Sequence, residues 1–279
     1  MPPISLFRSS WPTPVARYLG HWPVLGLLAI LLLTACASGL TDDLNGIRRD
    51  SFNVGASARL RVESENGQII VRGEGSGSSI RVTATIENLQ RVSYTATQEG
   101  DTVTVVADVA NGPAWFNRDA GTHLEITVPE RIELDLETSN GQVTVTGVSG
   151  PVTVATSNGR IEIAGVSGTV QARSSNGRIA LDGVSGPVTA ETSNGAISLS
   201  GTIPPGSVNR LRTSNGGVTV VLVDTPSLDL NARTNNGRVQ VDRPITTSGA
   251  PDPTHLVGVI GAGGPQMEIQ TSNGNITIQ

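Results

Sequence analysis

The chain has no lysine, one cysteine and few aromatic residues, and each scarcity narrows what it can be. All 19 basic residues are arginine, and only 3% of the 279 residues are aromatic, against 33 glycines. Few large rings and many small or β-branched residues favour thin, regular β-structure over a thick globular core. A lone cysteine excludes an internal disulfide framework. The formal charge is −5 at pH 7, and removing Arg8 and Arg17 with a leader leaves 17 arginines against 24 acidic residues, or −7. A surface of that sign argues against nucleic acid as a partner, because phosphate contacts need a basic face.

Long apolar runs are also missing. The longest, Val24–Leu33, has ten residues, which is too short to span a bilayer as a stable helix. It follows Arg8 and Arg17 and ends at small residues, which is the layout of an export signal. The junction Leu33-Thr34-Ala35-Cys36 resembles the lipobox of bacterial lipoproteins. The resemblance implies cleavage after residue 35, lipid on the Cys36 sulfur and attachment to a membrane without a spanning helix. Ala37, in place of an aspartate, is similar to lipoproteins placed in an outer membrane or at a cell surface. Residues 36–51 are polar and without periodicity and are expected to form a tether.

The body of the chain is periodic. Thr138-Ser139-Asn140-Gly141 returns around Asn158, Asn176 and Asn194 at intervals of 18 residues. Asn215 and Asn236 follow at intervals of 21, and Asn273 after a further 37. Asn66, in Glu65-Asn66-Gly67, marks a divergent first copy. Half a period away lie Gly147-Val148-Ser149-Gly150 and its repeats at Gly165 and Gly183. Between these signals, apolar and polar residues alternate, as in Val152, Val154, Ile161 and Ile163 against Thr153, Ala155, Arg160 and Glu162. Each unit therefore reads as two short half-buried strands and two corners. Glycine at a corner supplies positive φ or permits close backbone approach, and asparagine tolerates the left-handed region.

Two architectures fit that unit. Asn-Gly can close an antiparallel hairpin, pairing Thr156 with Ile161 in a meander. Alternatively each unit is one coil of a β-solenoid stacked ~4.8 Å from the next. The solenoid is favoured, because a meander leaves its apolar face uncovered and no helical pattern supplies a second layer. Stacking also brings Asn140, Asn158, Asn176 and Asn194 into line, where their amides can bond to each other. The expected fold is all-β, a solenoid of 18–21-residue coils over residues 130–279, with an irregular β N-terminal cap over 52–129. Pro244–Gly258 reads as a loop inserted in a final coil, and with no obvious cap following, that loop or another molecule is expected to cover the last edge.

The Thr-Ser-Asn-Gly and Gly-Val-Ser-Gly repeats, the lead-in Glu125-Ile126-Thr127-Val128-Pro129 and the closing run Thr271–Ile278 together resemble a bacterial β-strand-repeat family of unknown function whose members are described as candidate adhesins. The resemblance spans Phe52–Gln279 and implies a solenoid-like envelope protein without catalytic residues to carry over.

Chemistry-bearing motifs are scarce. His123 and His255 stand outside any metal-ligand spacing, and no cofactor motif is present. Gly73–Gly77 is glycine-rich but precedes no helix, so it reads as a turn. Arg160, Glu162, Arg173, Arg178, Asp182 and Glu191 read as a solvated surface of mixed charge, in preference to the acidic and basic groups that a polysaccharide-acting β-helix enzyme keeps on one outer face. Trp115 and Phe116 in a Gly/Pro/Asn loop are a possible binding spot, by stacking on a sugar or anchoring a partner. The functional expectation is a lipid-anchored, non-enzymatic surface protein whose ligand is a glycan or an envelope protein. The alternative is a sensing module for a peptide or protein.

Overall fold

Alternation of β-branched and polar residues produces strands throughout. The computed structural model describes residues 45–110, 120–223, 227–249 and 252–279, and no helix forms among them. All of them fall in one compact unit, Asp42–Gln279. Cys36, Trp115 and Phe116 lie outside the described residues.

The chain opens with β1 (Gly46–Asn53), β2 (Arg59–Ser64), β3 (Ile69–Gly73), β4 (Ser79–Glu87), β5 (Val92–Glu99), β6 (Thr102–Val109) and β7 (Gly121–Val128). Five regular coils follow: β8 (Glu133–Thr138) with β9 (Val143–Thr146), β10 (Val152–Thr156) with β11 (Ile161–Ala164), β12 (Val170–Ser174) with β13 (Ile179–Ser185), β14 (Val188–Thr192) with β15 (Ile197–Thr202), and β16 (Val208–Asn215) with β17 (Val218–Leu222). The C-terminal part holds β18 (Leu228–Asn236), β19 (Val239–Val241), β20 (Ile245–Thr247), β21 (His255–Ile260), β22 (Gln266–Asn273) and β23 (Ile276–Ile278). The first strand of each coil joins a 12-stranded sheet, here sheet B, and the second an 11-stranded sheet, sheet A.

Successive coils pair in parallel and in lateral register. Val152 lies between Leu134 and Val170, and Ile161 between Val143 and Ile179. This pairing decides for the solenoid and against the hairpin meander. Like residues therefore stack on like residues. Leu136, Val154, Ala172, Ala190 and Leu211 form one buried row of sheet B, and Val143, Ile161, Ile179, Ile197 and Val218 form a buried row of sheet A. Val148, Val166 and Val184 are buried at the second corner. One coil buries too few aliphatic side chains to offset the entropy of ordering 18 residues, so only the stack is stable.

The order of coils in space differs from their order in sequence at both ends. At the N-terminal end β2 and β3 stack on β8 and β9, and β6 and β7 stack outside them. The segment expected to be an irregular cap thus holds two coils, and its antiparallel strands β4 and β5, with β1 from before it, do the capping. At the other end β22 sits between β16 and β18, and β23 between β17 and β19. The last copy of the motif is therefore the next-to-outermost coil. The 244–258 segment is not a loop within the final coil. It contributes β20 and the start of β21, and β21 pairs antiparallel with β18 and covers the outermost coil. Residues 46–51, expected to belong to the tether, form most of β1. That strand pairs on one edge only and buries no side chain fully, so it carries no strong period-2 signal.

Candidate functional site

The repeated Thr-Ser-Asn-Gly corner makes three parallel ladders along the stack. The asparagine ladder runs through all eight expected residues in spatial order. Asn140 donates from Nδ2 to Oδ1 of Asn66, Asn158 to Asn140, Asn176 to Asn158, Asn194 to Asn176 and Asn215 to Asn194. It continues with Asn273 donating to Asn215 and Asn236 to Asn273, every link being 2.8 Å. Each contributes about 0.5–1.5 kcal/mol net.

The buried residue two positions before each asparagine forms the second ladder. Thr192, Thr213, Thr271 and Thr234 donate through Oγ1 to the glycine carbonyl of the adjacent coil, at 2.8–3.0 Å. Ser174 does so at 3.2 Å while accepting from the Gly177 N–H at 2.8 Å. Thr138, beside the corner of Gly67 with φ +123°, has no partner for its hydroxyl.

The glycines form the third. A Cβ on Gly141, Gly159 or Gly177 would lie 1.6 Å from the carbonyl oxygen of the glycine one coil back. Close approach, and not positive φ, therefore requires glycine at these corners. At the opposite corner Gly147, Gly165 and Gly183 do take positive φ, between 60° and 68°. The corner asparagines do not use the left-handed region that asparagine tolerates: among the described residues Asn88 alone of the non-glycines has positive φ.

The second residue of the motif has no structural duty of this kind and faces outward. Ser139, Ser157, Ser175, Ser193, Ser214 and Ser272 line one side of a groove of about 500 Å³ that runs along the solenoid on sheet B. Its other side is the row Glu137, Ala155, Arg173, Glu191, Arg212 and Gln270, held in lateral register. Arg173 pairs with Glu191 at 3.3 Å, and Arg212 donates to Gln270 at 2.7 Å. Exposed pairs of this kind add little stability. Ala155 interrupts the row and opens the floor between Glu137 and Arg173. No histidine lines this groove, and the charged side chains beside its serines are Glu137, Arg173, Glu191 and Arg212. What the groove offers is a repeating set of hydroxyl donors and acceptors, one per coil, with charge of both signs beside it.

Other sequence-selected residues stay apart. His123 lies on β7, 3.7 Å from Glu125, and His255 on β21, 3.3 Å from Asn231. Arg160 pairs with Glu162 at 3.1 Å on the sheet A side, away from Arg173 and Glu191. The outward charges are divided between the sheets, Arg173 and Glu191 on sheet B and Glu162 and Asp182 on sheet A. Gly73 ends β3, and Gly75 takes φ +50° in the turn after it. Among the described residues no three His, Cys, Asp or Glu are grouped to hold a metal ion, and no helix is long and apolar enough to cross a membrane. Sequence reasoning missed the groove. The available signal was the serine kept before six of the eight corner asparagines, but the opposite wall is built from residues that do not repeat.

Among solved structures, a candidate cell adhesion protein from Clostridium sporogenes shares 12% identity, with 84% of this chain and 99% of that chain covered and a TM-score of 0.37. A candidate adhesin from Bacteroides fragilis shares 9% identity, with 84% and 97% covered and a TM-score of 0.42. One from Parabacteroides merdae shares 8%, with 84% and 96% covered and a TM-score of 0.33. No curated protein matches the chain. The family model described as Toastrack DUF4097 matches residues 129–279, which is more than half of the chain, and the chain belongs to that family.

Proposed function

We propose that the chain is an exported, lipid-anchored, non-enzymatic envelope protein, an adhesin or interaction scaffold that holds an extended glycan strand in the serine groove. The observation that carries this reading is the groove itself. It is long, open and polar, and its hydroxyls recur at the coil spacing of ~4.8 Å, which suits a polymer better than a compact metabolite. Small side chains on one wall let a sugar ring approach the backbone, and Arg173, Glu191 and Arg212 supply directional bonds on the other. In this reading residues 1–35 are a lipoprotein signal, Cys36 carries the lipid, and Trp115 and Phe116 add a stacking contact.

The test is binding to a glycan array, comparing the unaltered chain with Ser175→Trp and Ser193→Trp, which fill the groove without touching the ladders. Each is expected to weaken binding at least about tenfold, or 1.4 kcal/mol, with an unchanged circular dichroism spectrum. Undiminished glycan binding in both variants, or binding of envelope proteins only, would sink the assignment. Anchoring has its own readout. Cys36→Ser is expected to move the protein from the membrane to the soluble fraction, and unchanged fractionation defeats the lipid claim.

A further inference from the structure

The N-terminal end of the solenoid is stepped. Beyond its outermost coil, β6 with β7, sheet B is extended by one strand, β5, and sheet A by two, β4 and then β1. Both outer strands, β1 and β5, have eight residues. They are held together across the step: the Tyr94 hydroxyl donates to Asp50 Oδ2 at 2.7 Å, and Gln98 Nε2 donates to the Asn53 carbonyl at 2.7 Å. Burial and then the Asp50 carboxylate push the Tyr94 phenol well above its ordinary pKa, so this bond persists across the physiological range.

Among the described residues no strand pairs with the outer edge of either β1 or β5. The Ala110 N–H donates to the Arg91 carbonyl at 2.7 Å, which makes that pair a hydrogen-bonded one. The antiparallel alternation then turns the N–H and C=O of Tyr94, Ala96 and Gln98 outward. From Val92 to Gln98, β5 has no charge, proline or glycine, so none of the usual devices that blunt an edge is present. The other end of the solenoid is blunted. There β19 and β20 have three residues each, and the Val239 N–H is taken by the Pro253 carbonyl.

The step is complementary to itself. β5 runs antiparallel to β6, and β1 runs antiparallel to β4, which is antiparallel to β7. Because β6 and β7 are the outward and return strands of one coil, β1 and β5 point the same way. A two-fold axis along the strands exchanges the two sheets and reverses the solenoid direction. It sets β1 of one copy beside β5 of the other, in parallel, at both edges at once. We propose that this stepped end is a homodimer interface in which each β1 adds to the partner's β5.

A second copy fits better than an isolated strand, because one strand would fill the β5 edge and leave β1 open. The pairing sets Arg48, Arg49 and Asp50 of β1 beside the Val92–Gln98 stretch of the partner's β5, which carries no charge. It brings the half-buried Phe52 of each copy together in the central layer. Residue 45 of both copies then emerges on the same side.

Sedimentation equilibrium of the full chain in density-matched detergent is expected to give twice the monomer mass. In hydrogen exchange, the amides of Tyr94, Ala96 and Gln98 are expected to slow with rising protein concentration. Ala96→Pro removes one outward N–H and leaves the β6 pairing intact, as edge strands tolerate. It is expected to weaken association about 100-fold, the equivalent of ~3 kcal/mol, without changing the circular dichroism spectrum. A monomer at every concentration, a dimer undisturbed by Ala96→Pro, or protection confined to β19 and β20 would each overturn the proposal. If the proline variant loses its fold, the exchange pattern of the unaltered chain still decides.

Discussion

Gly159→Ala is expected to destabilise the protein by about 3 kcal/mol or more, although it adds only one methyl group at a tight corner. The added carbon would lie 1.6 Å from the Gly141 carbonyl oxygen, which is backbone and cannot step aside. To make room, the coil must lift away from its neighbour. That lengthens the link from Asn158 to Asn140 and the contact of Thr156 with the same carbonyl. Gly206→Ala is the control. Gly206 has φ +71°, and a methyl carbon added there would meet nothing within 4 Å, so only the left-handed backbone penalty of about 1 kcal/mol applies. Urea denaturation of both variants separates the two causes. Equal midpoints would show that close stacking at the corner does not limit stability.

The second large effect concerns the end of the chain. Ile269→Asp is expected to cost about 4 kcal/mol, as a charge placed without a partner in a packed interior does. Ile269 is 1% exposed and lies in the row between Leu211 and Ala232. A strand so near the C-terminus would ordinarily fray and tolerate change. Here β22 is flanked on both sides, so its amides are expected to resist hydrogen exchange as firmly as those of β12. The outermost strands β19 and β20 should exchange first. Fast exchange across residues 266–278, or a mild effect of Ile269→Asp, would contradict the spliced coil order.

Much of this could be read from the residues. The 18-residue beat, the parity of Val152, Val154, Ile161 and Ile163, and the recurrence of Asn-Gly define a coil, because each rests on local alternation or on identity between copies. The asparagine ladder was legible for the same reason, since identical residues at identical positions must align once coils stack. β1 was not legible. An edge strand that buries no side chain fully need not alternate cleanly, so Ile47 and Arg49 look like tether.

The sequence by itself determined the unit: two short strands, two glycine corners and an inward aliphatic row that is stable only when stacked. Tertiary structure decided which unit stacks on which. The copies are interchangeable at their corners, so Asn273 matches Asn215 as well as Asn236 does, and local pattern cannot rank them. The ranking comes from the antiparallel cover of β21 on β18, which makes that coil terminal and leaves the inner place to β22 and β23. The groove was decided at the same level. Glu137, Arg173, Glu191 and Arg212 share no motif, and only the lateral register of five strands sets them in a wall facing the serines.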